Sequence, residues 1–205
     1  MRYLYLPFSN YMADSSYTGT VDRYKRKGHK IIEHSFGWKP LRVLKATDVL
    51  IIMGHGDKGS DGRGLISVKR VDLQGNVSYA DMTVIDLAAQ LESDGLPKSH
   101  KLIKSLTCYG GGAYKLDGNT DNLVGKAYEY FAQLLAKALG LRGYSSVKVG
   151  GYPGTVGSTS DQKKVFFKVL NNSGNQFLVD KDGEYGVPTK GHIEWYDASG
   201  NQTTV

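Results

Sequence analysis

Two residues in this 205-residue chain have the types and spacing for covalent chemistry. Cys108 is the only cysteine; it closes the run Ser105-Leu106-Thr107-Cys108 ahead of Tyr109 and three glycines. His55 stands 53 residues earlier, in Gly54-His55-Gly56-Asp57. A free thiol has a pKa of about 8.5 and is mostly protonated at neutral pH, so an imidazole beside it raises the thiolate share or takes the proton during attack. Attack on a carbonyl also needs backbone N–H groups aimed at the developing oxyanion, where side chains would block the substrate. The amides of Gly56 and Cys108 are the natural donors, and Gly110, Gly111 and Gly112 let the chain turn tightly behind the nucleophile. Alone, Cys108 reads as a small buried hydrophobe; the histidine makes it a candidate nucleophile.

Both residues must be delivered by strand ends. Val49-Leu50-Ile51-Ile52-Met53 is a continuous apolar run, as expected of a strand buried on both faces of a parallel sheet. It leads into the glycine-rich stretch 54–62, which contains His55. Residues 101–107 form a second expected strand, and it leads into Cys108. Between them, 65–71 and 76–79 read as a hairpin. A helix follows over 82–91, with apolar positions 84, 87, 88 and 91 at helical spacing and Gly95-Leu96-Pro97 to stop it. In an open parallel sheet, reactive groups gather in the loops at the carboxyl ends of the strands. If these two strands are neighbours, about 5 Å apart, imidazole and thiol emerge at one edge.

Elsewhere the pattern predicts strands over Tyr3 to Phe8, Lys30 to His34 and Val147 to Gly151. Residues 9–28 read as a long loop carrying a short helix, and Gly37-Trp38-Lys39-Pro40 as a turn. A helix is expected over 121–139, with Tyr128, Phe131 and Leu135 as its core stripe and Gly140 as its stop. Residues 153–160 read as a loop of small residues; strands at 164–170, 176–179 and 192–196 give the tail an antiparallel character. The expected fold class is α/β, one domain over 1–205 with a mainly parallel sheet flanked by helices and antiparallel strands toward the C-terminus.

A hydrophobic strand ending in His-Gly, then a hairpin and helix, then a second hydrophobic strand ending in Cys, resembles the caspase-like cysteine peptidases (clan CD type). That superfamily includes caspases, metacaspases, legumains, gingipains, clostripain-like enzymes and the self-processing protease domains of large bacterial toxins. Gly54-His55-Gly56-Asp57 and Thr107-Cys108-Tyr109-Gly110-Gly111 are similar to the signature corners of its metacaspase and legumain members. The resemblance covers a core of roughly 47–160 and leaves 161–205 as a β-rich extension; Thr107 and Tyr109 depart from the residues the superfamily often has beside its nucleophile.

The resemblance implies a cysteine endopeptidase that hydrolyses peptide bonds through a thioester acyl-enzyme, with possible self-processing. Cys108 would be its nucleophile, His55 its general acid/base, and the amides of Gly56 and Cys108 its oxyanion hole. It maps the primary specificity pocket onto the strand and loop after the following helix, with Gly151, Tyr152, Thr155 and Ser158 as substrate-binding candidates. An acid such as Asp14 or Asp22 would orient His55, although many caspase-like enzymes manage with a dyad. The alternative is a catalytically inactive caspase-like domain that binds a protein or a polyphosphate.

The formal charge is +6, and much of the excess sits in Arg23, Lys25, Arg26, Lys27 and Lys30. Such a cluster ordinarily is a solvated face, but it can also meet phosphate. The toxin protease domains are activated by inositol hexakisphosphate, so the resemblance implies an inositol polyphosphate activator at Arg23, Lys25, Arg26 and Lys27. No specific nucleic acid is expected.

His29 and His34 read as solvent-facing, and no histidine pair has metal-ligand spacing, so neither zinc nor any other metal is expected. Asp57 and Asp61 with Gly59 and Gly62 lack the register and distal Glu of a calcium loop. A lone Cys makes no internal disulfide, and no run approaches the ~18 apolar residues of a membrane span. The first residues make a poor signal peptide. The expectation is a protein that meets no membrane and works in the cytoplasm, or one delivered to another cell, as an effector or toxin is, without a cleaved N-terminal signal.

Overall fold

A computed structural model describes residues 1–9, 15–56, 65–72, 74–107, 130–152, 155–158, 165–170, 176–177, 187–188 and 193–205. Its centre is a seven-stranded mixed sheet, mostly parallel. Strands β1 (Arg2–Leu6), β2 (Lys30–Glu33) and β3 (Val49–Met53) belong to it. A small hairpin unit follows, made of β4 (His55–Gly56), β5 (Leu65–Val71) and β6 (Val77–Thr83) in its own antiparallel sheet. The chain returns to the main sheet in β7 (Leu102–Leu106) and β8 (Lys148–Gly151). Strands β9 (Thr155–Ser158), β10 (Val165–Leu170), β11 (Gln176–Phe177) and β12 (Val187–Pro188) pair antiparallel with one another in a separate sheet. Strands β13 (Glu194–Asp197) and β14 (Gln202–Thr203) complete the main sheet, whose order is β14-β13-β8-β7-β3-β1-β2. The α/β class with a mainly parallel sheet and antiparallel strands toward the C-terminus is the architecture observed.

The pairing β2-β1-β3-β7-β8 is parallel throughout, and β13 joins β8 antiparallel. The register aligns Leu4, Ile51, Lys104, Gly150 and Trp195 in one row, and Tyr5, Ile52 and Ser105 in the next, on the opposite face. Gly150 is where bulk must be absent, because a Cβ there would stand 2.7 Å from Ile193 Cδ1 and 2.9 Å from the Trp195 ring.

Helices α1 (Ser15–Arg26), α2 (Val84–Ser93) and α3 (Phe131–Leu141) cover the sheet. Helix α1 buries Tyr17 and Val21, and Tyr24 packs beside them, at i, i+4 and i+7. It spans twelve residues, where the sequence reading has a loop with a short helix. Gly19 and the hydroxyl residues of 15–20 obscure this apolar stripe, which packing supports. Helix α2 starts at Thr83, whose Oγ1 accepts the Asp86 N–H at 3.1 Å, and buries Val84, Leu87, Ala88 and Leu91.

Helix α3 buries Phe131 and Leu135, two of the three predicted stripe residues; Tyr128 and the first part of the predicted 121–139 helix lie outside the described residues. Gly140 does not stop α3, which continues to Leu141. It permits a close approach instead: a Cβ there would meet the Ala198 carbonyl oxygen at 2.1 Å, and the left-handed turn falls at Gly143.

The crossover from β1 to β2 runs along the sheet in the opposite sense to β3→β7 and β7→β8. Right-handed connections therefore put α1 on one face and α2 and α3 on the other. Tyr5, which donates to Asp94 at 2.7 Å and accepts from Gln90 at 2.7 Å, shows the α2 side. Among the described residues, no helix is long and apolar enough to cross a membrane.

Candidate active site

The strand order reverses at β1, which has β2 on one side and β3 on the other, so the loops leaving β1 and β3 flank the topological switch point. In open α/β sheets this is where ligands bind, outside the carboxyl ends of the strands. His55 comes directly after β3 and Gly54 at that edge.

Gly54 has a packing reason to be glycine. A Cβ there would lie 1.9 Å from Ile66 Cγ1 and 2.3 Å from its Cδ1. The buried Ile66 of β5 thus presses on the point where the chain leaves β3. His55 and Gly56 then pair with Ser67 and Ile66, which turns His55 out of the main sheet into the hairpin unit. Its backbone N–H donates to the Tyr17 hydroxyl at 3.0 Å, and that hydroxyl donates to the Ser67 carbonyl at 2.8 Å. The half-buried imidazole has two rings near it, Tyr17 at 5.2 Å and Tyr79 at 6.2 Å, the latter edge-on. The sequence reading missed both tyrosines. Spacing at 17, 21 and 24 could have found the first; an isolated Tyr79 on an exposed hairpin carries no signal.

Strand β7 runs parallel beside β3, with Met53 opposite Leu106. His55 is two residues beyond Met53 in sequence, and Cys108 two beyond Leu106. Cys108 itself lies outside the described residues, as do Tyr109 to Gly112, Asp14, Asp57 and Asp61. The last described residue before the cysteine is Thr107, fully buried, its hydroxyl 2.6 Å from that of the equally buried Ser105. One of these hydroxyls donates to the other at the exit of β7. Asp22, the other predicted orienting acid, is exposed on α1.

Of the predicted substrate-binding residues, Gly151 is buried at the end of β8 opposite Glu194, and half-buried Tyr152 packs against the core. Thr155 and Ser158 lie in β9, opposite Lys168 and Val165 of β10.

The basic cluster is only partly the solvated face expected. Lys25, Arg26 and Lys27 are exposed, but Arg23 is 3% exposed, with its guanidinium carbon 4.9 Å from the Tyr24 ring centre. Burial lowers its pKa, while the neighbouring Tyr24 and Tyr152 hydroxyls act the other way. The fold therefore brings together Arg23 and Tyr152, two candidates from separate predicted sites. Further cations gather on the same side. Burial lowers the pKa of Lys104 and of Lys27, with Arg2 adding to the first and Arg23 to the second.

His29 and His34 are not simply solvent-facing. His29 sits edge-on to Tyr24 at 4.8 Å, and burial, then Arg2, lowers its pKa. His34 Nδ1 lies 3.1 Å from both oxygens of buried Asp94. Among the described residues, no group of three or more His, Cys, Asp or Glu is gathered for a metal. Compared with known proteins, the chain matches no family model and no curated protein.

Proposed function

We propose that the chain is a caspase-like cysteine endopeptidase in which His55 and Cys108 act as a dyad. One observation carries the reading: β3 and β7 are parallel neighbours in register, and each stops two residues short of one dyad member, at the switch-point edge of the sheet. In this reading, the Cys108 thiolate attacks the peptide carbonyl and forms the C–S bond. The oxyanion is held by the amides of Gly56 and Cys108, and His55 gives its proton to the departing amine. Water, deprotonated by His55, then cleaves the thioester and restores the thiol. Gly151, Tyr152, Thr155 and Ser158 border the substrate. A free thiol keeps its reactivity in a reducing compartment, so the cytoplasm, of this cell or of a recipient, is the proposed place of action.

The test is reaction with iodoacetamide and with peptidyl electrophiles across pH. Cys108 is expected to be labelled well below pH ~8.5, the ordinary thiol value, and His55→Ala to move the labelling midpoint toward it. Cys108→Ala is expected to abolish labelling and cleavage of a peptide library. Full cleavage by Cys108→Ala would end the proposal.

A second reading, an inactive domain or an enzyme that takes a polyphosphate, is favoured by the cations gathered around buried Arg23. Burial lowers the pKa values of Arg23, Lys27 and Lys104, with Arg23 adding to the shift at Lys27 and Arg2 to that at Lys104, and a bound polyanion would oppose these shifts. Inositol hexakisphosphate is expected to raise Tm, and Arg23→Ala to lessen that rise; no shift in Tm would sink this reading.

A further inference from the structure

After β2 the chain turns through Ser35-Phe36-Gly37-Trp38, closed by the Trp38 N–H donating to the Ser35 carbonyl at 3.2 Å. Gly37 takes φ +80 with nothing near its missing Cβ, so glycine serves the turn's conformation and not a packing need. The turn throws its aromatics outward: Phe36 is 96% exposed and Trp38 75%. The short 3-10 helix after it, Pro40–Val43, buries only Leu41 and leaves Val43 58% exposed.

The tip stands on a fixed base. Leu41 and Leu44 are buried, and the Leu41 N–H donates to the Asp94 carbonyl at 2.9 Å. The stems of Lys39 and Arg42 pack on Gly95, where an added Cβ would come within 2.9 Å and 3.4 Å of them. Residues 35–47 contain Lys39, Arg42 and Lys45, all exposed, and no acid.

Two large rings held in water on an anchored turn mark an interaction surface. A second copy of this chain would bring another net charge of +6 to a basic tip. Two aromatic side chains standing in water beside exposed cations suit a fluid, anionic interface. Trp settles at headgroup level in a bilayer, and Lys and Arg are drawn to anionic lipid within about a Debye length, ~10 Å.

We propose that the 35–45 segment docks the protein on an anionic lipid bilayer. Phe36 and Trp38 enter the interface, and Lys39, Arg42 and Lys45 pair with the headgroups. The proposal departs from the expectation that the chain meets no membrane, and it is independent of the peptidase reading.

The experiment mixes the full chain with phosphatidylcholine vesicles, plain or with roughly one-third phosphatidylglycerol. Trp195 is buried, so a blue shift in emission reports Trp38. The shift and co-sedimentation are expected with the anionic vesicles, at least about tenfold stronger than with neutral ones and weakened by salt. Phe36→Ser with Trp38→Ser is expected to lose about tenfold in co-sedimentation, and Lys39→Glu with Arg42→Glu to lose the anionic preference. All four positions are exposed, so Tm is expected to stay unchanged. No binding to anionic vesicles at low salt, or undiminished binding by the double aromatic variant, would overturn the proposal. A blue shift that follows protein concentration without vesicles would assign the turn to self-association and overturn it equally.

Discussion

The Tyr17 hydroxyl accepts the His55 backbone N–H at 3.0 Å while donating to the Ser67 carbonyl at 2.8 Å. One side chain of α1 thus ties the first residue pair of the hairpin unit to the helix behind it. The position of the imidazole, and not only of its backbone, depends on this tie, because the Tyr17 ring also packs on the His55 ring.

Tyr17→Phe keeps that ring contact and removes both hydrogen bonds. Leaving an N–H and a carbonyl without this partner is expected to destabilise the protein by about 1–3 kcal/mol. That corresponds to a fall of about 2–4 °C in Tm per kcal/mol for a domain of this size, measured by thermal melting. If His55 serves a peptidase, kcat is expected to drop with little change in KM, since the substrate's binding surface is untouched. An unchanged Tm would show that water replaces the hydroxyl and that Tyr17 positions nothing.

Gly54→Ala is expected to destabilise by about 1–3 kcal/mol, because its methyl would overlap Ile66, 1.9 Å away at Cγ1. Ile66→Ala removes the clashing atoms and alone leaves a cavity costing about 2–5 kcal/mol. The double variant is expected to lose less than the sum, and denaturant unfolding of the four proteins measures the coupling. Strict additivity would mean the exit of β3 does not rest on Ile66.

Glu194 supplies a pH dependence. Burial in β13 raises its carboxyl pKa, with the Tyr196 hydroxyl, donating at 3.1 Å, acting in the opposite direction. A raised pKa means the folded state holds the proton more readily than the unfolded chain, whose glutamate titrates at about 4.3. The ionised carboxylate therefore weakens the fold at neutral pH, and the penalty fades as pH falls through the raised value. Glu194→Gln, which mimics the protonated form, is expected to raise Tm at pH 7 and to match the wild type near pH 4. A gain that persisted undiminished at pH 4 would contradict the assignment.

Much of the sheet was legible in the residues. Val49–Met53 announces a buried parallel strand by an unbroken apolar run, Leu102–Leu106 reads as a strand despite Lys104 and Ser105, and the hairpin and α2 announce themselves by turn residues and 3.6-residue spacing. Helix α1 was harder to see, since its stability comes from docking Tyr17, Val21 and Tyr24, and local propensity argues against it. Gly140 misled for a related reason: glycine inside a helix looks like a stop until the carbonyl of Ala198 is brought against it.

By itself, then, the sequence determined most strands of the main sheet, the hairpin and α2, and that a histidine and the sole cysteine each follow a strand. Those are local properties, written in period and composition. Only the tertiary structure decided that β3 and β7 are neighbours in register, that Tyr17 holds His55, that Arg23 is buried beside Tyr152, and that Phe36 and Trp38 face water. These are relations between residues far apart in the chain, set by which faces must be covered to exclude water, and no local pattern encodes them.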